Sequence, residues 1–173
     1  VQAELARHTL GAQGSVQAVV VDFHAEASSE KQAMGHSFDG RASLVIGTHT
    51  HVPSADARIL PGGTAFQTDA GMCGDYDSVI GMQKGGASLR FWRKVPNERL
   101  APAEGEATVC GLFVETDDAT GLARRVAPLR MDYHGRTLVL PPPPAGGVFV
   151  GEVLRILEQF DLPAMGHNSA AMV

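Results

Sequence analysis

Two short apolar runs, each breaking off into polar residues, constrain this chain more than any other feature. Val16-Gln17-Ala18-Val19-Val20-Val21 is mostly β-branched and gives way to Asp22-Phe23-His24-Ala25-Glu26. Ala42 to Ile46 repeats the pattern and passes through Gly47 into Thr48-His49-Thr50-His51-Val52. Continuous runs of this kind read as strands covered on both faces, as parallel strands are. Between them, Ser28 or Ser29 is placed to cap a short helix through Glu30, Lys31 and Met34. Strand, helix, strand with polar groups at both strand ends is the layout in which open α/β sheets place their sites.

The polar ends carry the chemistry. In an extended chain alternate side chains share a face, so His49 and His51 point the same way. Adjacent parallel strands would bring His24 within reach of that pair. Three imidazoles at one rim favour Zn, Mn, Fe or Co over Mg or Ca, which prefer oxygen. The competing reading is a pair of surface histidines in a loop, with His24 making a strand-end hydrogen bond. Asp22, Glu26 and Asp69 flank the rim and are read as partners for imidazole N–H groups. Thr48, beside the ligands, and Thr50 are read as pointing away from the metal and holding the loop by side-chain to backbone bonds. Cys73, alone in a glycine loop, reads as a small residue, and His8, His36, His134 and His167 as solvated. A two-metal hydrolytic site normally includes a bridging acid, and none is identified upstream of His24.

The remainder orders itself around this rim. Pro53 to Asp56 and Ile59 to Gly63 are turns, Thr64 to Asp69 is a third strand, and Ala70 to Asp75 is a glycine-rich loop near the same end. Ser78 to Gly86 reads as a connection, and Arg90-Phe91-Trp92 as strand. Ala107 to Glu115 and Leu122 to Arg130 are antiparallel strands around a turn at Thr116 to Gly121. Pro141 to Pro144 make a stiff spacer, and Phe149, Val153, Leu154, Leu157 and Phe160 mark one face of a closing helix. The expected division is a catalytic-type domain at 1–140, a linker at 141–148, and a terminal helix with a loose tail at 149–173.

Composition narrows the classes. The 173 residues suit one domain with a real core. A net charge of -5 without a dense Lys/Arg patch disfavours an extended nucleic-acid surface. Cys73 and Cys110 form no CxxC pair, which points to a reducing, cytoplasmic setting. No apolar run reaches membrane-spanning length.

Taken together, several ordered segments resemble one family. These are Val21-Asp22-Phe23-His24-Ala25-Glu26-Ala27-Ser28-Ser29-Glu30-Lys31, Gly47-Thr48-His49-Thr50-His51-Val52, Ile59-Leu60-Pro61-Gly62-Gly63-Thr64-Ala65, Thr68-Asp69-Ala70-Gly71-Met72 and Asp77-Ser78-Val79-Ile80-Gly81. Over roughly residues 16–132 the chain resembles the YmdB-like metallophosphoesterases of the calcineurin-like superfamily, which act as 2′,3′-cyclic-nucleotide 2′-phosphodiesterases. The resemblance implies an α/β sandwich around two sheets with two divalent ions, Fe or Mn, at the strand ends. It implies that His24 and His49 bind one ion and His51 the other. The implied reaction is in-line attack on phosphorus by a metal-bridging hydroxide, on a small phosphodiester or cyclic nucleotide.

The departures matter as much. Family members carry an amino-terminal half that supplies an Asp, a bridging Glu, Asn ligands and a catalytic His in a GNH-type motif. None of these is matched here. Pro53-Ser54 stands where the family usually has Gln-Thr, and Ala57 where Glu is common. The expectation is therefore the carboxyl-terminal portion of such an enzyme, binding metal weakly and turning over little alone, with a missing half or a second copy as partner. The alternative is a non-catalytic metal-binding or regulatory fragment that needs a partner chain. A cupin would need a further His between His51 and His134, and an amidohydrolase barrel a longer chain. A structural module with incidental histidines completes the set.

Overall fold

A computed structural model describes residues 2–93 and 99–132 of the chain. In chain order the elements are α1 (Gln2–Leu5), β1 (Val20–His24), α2 (Ser28–Ser37), β2 (Leu44–Thr48), β3 (Arg58–Ile59), β4 (Ala65–Gln67), β5 (Gly74–Asp75), α3 (Lys84–Arg93), β6 (Ala107–Thr116) and β7 (Ala123–Asp132). They form a mixed α/β fold with two sheets. One has the order β1-β2-β4-β3, with β1, β2 and β4 parallel and β3 antiparallel to β4. The other is antiparallel, in the order β5-β6-β7.

Register explains the core. Val21 lies opposite Val45, and Val45 opposite Phe66, so three apolar side chains form one row across β1, β2 and β4. Phe38, Ala42 and Leu60 close over that row, with Leu5, Val19 and Met34 packed at its margin. Burying such side chains supplies roughly 1.5–3 kcal/mol each relative to exposure.

Helix α2 covers the same face in an unusual way. Its buried residues are Lys31 and Gly35, one turn apart on one side of the helix. A Cβ on Gly35 would stand 2.5 Å from the Phe66 ring, and one on Gly47 would stand 2.5 Å from the Lys31 Cδ. The helix therefore rests a glycine on a phenylalanine and a lysine stem on a glycine. Gly47 is also pressed from the sheet side, where its Cβ would lie 1.9 Å from the Thr68 carbonyl oxygen.

The second sheet reaches the first through its hairpin turn. The Ser43 hydroxyl donates to the Gly121 carbonyl at 2.6 Å, and the Ala123 N–H to the Gly63 carbonyl at 2.8 Å. Asp117 organises that turn by accepting from the Thr120 N–H and hydroxyl. These amide contacts, ahead of burial, hold its carboxyl below the ordinary range.

Several expected boundaries shift, each for a physical reason. The first strand is Val20–His24 rather than Val16–Val21, because pairing begins only where Val20 meets Leu44. Before it, the Val19 N–H is taken by the Ser43 hydroxyl. Neither Ser28 nor Ser29 caps α2; the N-cap is Ala27, without a side-chain cap bond. Arg90-Phe91-Trp92 is the last turn of α3, not a strand. Only Ala87 of that helix is buried, while Phe91 and Trp92 are exposed, so no sheet face among the described residues claims the aromatic pair. The hairpin, by contrast, falls close to its expected limits. The proline spacer, the closing helix, the tail, His134 and His167 lie outside the described residues.

A substitution pair tests the Gly47 contact. Gly47→Ala should lower the unfolding free energy by about 1–3 kcal/mol or more, the cost of overpacking a tight core. Gly86→Ala, in α3, meets only the Leu100 side chain at 3.8 Å, and should be neutral or stabilising by about 0.5 kcal/mol. Urea unfolding of both variants measures the difference.

Candidate functional site

β1 and β2 end side by side, with His24 opposite Thr48 in the parallel register. That places the imidazoles of His24 and His49 at one rim, their ring centroids 5.1 Å apart and the planes at 73°. The His24 Nε2 and His49 Nδ1 atoms approach to 3.3 Å. Two nitrogens held by one ion at about 2.0–2.1 Å in tetrahedral geometry stand about 3.3–3.4 Å apart. The pair fits two neighbouring positions of a metal's ligand shell.

A short relay fixes the His24 ring. The Thr48 hydroxyl donates toward Asp22 Oδ1 at 3.4 Å and lies 3.1 Å from His24 Nδ1. With the hydroxyl proton directed at Asp22, the His24 Nδ1–H donates to Thr48, and Nε2 keeps its lone pair facing His49. With its proton on Nδ1, His49 can donate to that lone pair. For both facing nitrogens to present lone pairs to an ion, the His49 proton has to sit on Nε2.

His51 does not join this pair. Its φ of 64° turns the backbone out of the extended path, so the expected alternation with His49 is broken. Its Nδ1–H donates to the Ile80 carbonyl at 2.9 Å, leaving Nε2 as its free lone pair. Ile80 itself has φ 47°. Among the described residues, no group of three or more His, Cys, Asp or Glu side chains is disposed to hold a metal. The expected convergence of three imidazoles is thus a convergence of two, with the third held by a different loop.

The other expected residues divide by depth. Asp22 reaches His24 only through Thr48, and Glu26 is exposed. Thr48, expected to bond backbone, instead contacts the side chains of His24 and Asp22. Thr50 does bond the chain, donating to the Val52 carbonyl and accepting from its N–H. Asp69 is buried and meets no imidazole; it takes the Thr50 N–H at 2.9 Å, the Gly71 N–H at 3.0 Å and the Lys31 ammonium at 3.0 Å. Burial alone would raise its pKa, but those donors, the amides foremost, hold its carboxyl below the ordinary value. Cys73 is exposed and Cys110 buried, both as free thiols. His8 and His36 are exposed.

Three supporting groups were not singled out from the sequence: Lys31, Asp56 and the Ile80 carbonyl. Lys31 falls in a stretch with no apolar stripe, so nothing in its pattern marks it as buried. Asp56 accepts from Ser54 (2.6 Å), the Thr68 N–H (3.0 Å), the Thr68 hydroxyl (2.6 Å) and Arg58 (3.2 Å). Its short spacing from Ser54 was the available signal for a side-chain-closed turn.

A family model described as "YmdB-like protein" matches residues 2–129. The chain belongs to that family. It is 50% identical over 108 residues to a 2′,3′-cyclic-nucleotide 2′-phosphodiesterase of Bacillus subtilis (strain 168), which covers 62% of this chain and 40% of that protein. A Mycoplasma pneumoniae protein named as a putative phosphatase/phosphodiesterase is 46% identical over 99 residues, 57% of this chain and 35% of its own length. The crystal structure of a Mycoplasma pneumoniae phosphatase superposes with a TM-score of 0.59 at 42% identity, over 65% of this chain and 40% of that one. The chain thus spans well under half the length of these relatives.

The carboxylates beneath the rim give a pH test. Burial, the largest influence on Asp56, pushes its pKa up from 3.8, yet the Ser54, Thr68 and Arg58 donors outweigh it and the net shift is downward. A depressed folded-state pKa contributes stability that is fully present above the unfolded value and lost as pH falls through the folded one. The contribution of Asp56 to the unfolding free energy should therefore be constant above about pH 5 and fall below about pH 4. Asp56→Asn should flatten that acid limb in urea titrations at stepped pH.

Proposed function

We propose that this chain carries part of the centre of a metal-dependent phosphodiesterase acting on cyclic nucleotides or related small phosphodiesters. The observation that carries the reading is the 3.3 Å approach of His24 Nε2 and His49 Nδ1 at the carboxyl ends of two parallel strands. In this reading His24 and His49 hold one divalent ion, and His51, through its free Nε2, meets a second. The family resemblance implies Fe or Mn, of which Fe is the better match to imidazole donors, and an ion there would neutralise charge on the phosphate oxygens. Chain residues do the rest: Thr48 and Asp22 set the His24 tautomer, and the Ile80 carbonyl sets that of His51. The first sheet, with its rim of histidines, is read as one layer of a calcineurin-like α/β sandwich.

Two nitrogens are fewer than the three protein ligands that hold a catalytic ion in many zinc enzymes. That shortfall among the described residues supports a second reading, a metal-binding fragment that acts only with a partner chain. One assay separates them. Purified chain is titrated with Mn²⁺ and offered bis-p-nitrophenyl phosphate and a 2′,3′-cyclic nucleotide. Binding with little turnover is expected, and His24→Ala and His49→Ala should each weaken Mn²⁺ binding by about tenfold or more. Unchanged metal content in His49→Ala would overturn the site. Turnover that appears only when a complementing chain is added would favour the second reading.

A further inference from the structure

The buried pair of Lys31 and Asp69 has a role beyond packing: we propose that it positions the histidine loop. This rests on the metal-site reading above. Both side chains are almost fully enclosed, at 1% and 2% exposure, with 3.0 Å between Nζ and Oδ2. A buried ion pair is a poor device for stability alone, because desolvation offsets the attraction. What distinguishes this one is where the carboxylate spends its remaining lone pairs.

Oδ2 also accepts the N–H of Thr50, the residue between His49 and His51. Oδ1 accepts the N–H of Gly71. The backbone at Asp69 is fixed as well: its N–H donates to the Ser54 hydroxyl at 2.8 Å, and its carbonyl accepts the Ser54 N–H at 3.0 Å. Next door, the Ala70 N–H donates to the Gly47 carbonyl at 2.8 Å. The loop from Gly47 to Ser54 is therefore tied at both ends by backbone and serine contacts, and at its middle by the Asp69 carboxylate.

The middle tie is the one that depends on charge. Lys31 reaches it because its stem crosses Gly47, where no side chain stands in the way. If the ammonium is removed, the carboxylate sits buried without its counter-charge and has to take a proton or turn toward solvent. Either change weakens the bond to Thr50. Thr50 directly precedes His51, whose φ of 64° is a conformation that a non-glycine residue keeps only when its surroundings hold it. Freeing the Thr50 amide removes the tie between the two imidazoles and leaves His49 and His51 held by their ring contacts with His24 and the Ile80 carbonyl.

The test uses Lys31→Met, Asp69→Asn and the double variant in the whole chain. Three readouts are taken: hydrogen exchange at the Thr50 amide, ¹⁵N shifts of the His49 and His51 rings, and Co²⁺ affinity from its visible absorption. Exchange at Thr50 should accelerate by about tenfold or more while amides of the β1–β2 ladder keep their rates. The ring shifts should change, and Co²⁺ binding should weaken by about tenfold. Thr50 and ladder amides speeding up together would reduce the pair to a structural element and overturn the proposal. So would unchanged ring shifts, or unchanged Co²⁺ affinity once Thr50 is released. If the unaltered chain takes up no Co²⁺, the metal-site reading fails, and Thr50 exchange with the ring shifts decides the brace by itself. Should the single variants fail to fold, the double variant, which buries no uncompensated charge, carries the same comparisons.

Discussion

Everything at the rim depends on the missing side chain at Gly47. The Thr68 carbonyl and the Lys31 stem both crowd the place a methyl group would take. Because β2 and β4 close at that point, the Ala70 N–H reaches the Gly47 carbonyl and Asp69 arrives directly beneath the histidine loop. One glycine thus links sheet packing to the placement of the imidazoles. It does so by allowing proximity (no unusual backbone angle is involved).

The centre combines a buried foundation with exposed tips. Thr64, Gln67 and Asp69 are buried at or below 1% exposure, while His24, His49 and His51 are all exposed. Beneath the rings nearly every polar group is hydrogen-bonded; above them lies solvent. Rings that emerge from a fixed base have surrendered much of their conformational freedom on folding. The Oε1 of Gln67 is the one buried side-chain oxygen or nitrogen among the described residues that finds no partner.

How much of this could be read from the sequence varies with the source of each feature. The parallel core was legible because Val21 and Val45 sit in short apolar runs that pair wherever their register allows, while Phe66 lies in the strand read over Thr64 to Asp69. Strand limits were less so: nothing local tells Val19 that its N–H will be taken by Ser43, 24 residues away. The helix through Glu30, Lys31 and Met34 was legible, but which face it buries was not, because its buried residues are a lysine and a glycine. The closeness of His24 and His49 followed from strand ends alone, whereas that of His51 did not. Alternation of side chains assumes an extended backbone, and the bend over residues 49–52, with His49 at φ 154° and His51 at φ 64°, cancels it.

The first sheet has two dissimilar margins. On one side β3 is only two residues long and runs into Leu60-Pro61, so that border is blunt. On the other, β1 offers five residues, Val20 at 64% exposure, and no described neighbour beyond it. Extension of the sheet is therefore directional. A strand annealing alongside β1 in the same sense would deliver its own terminal residues next to His24.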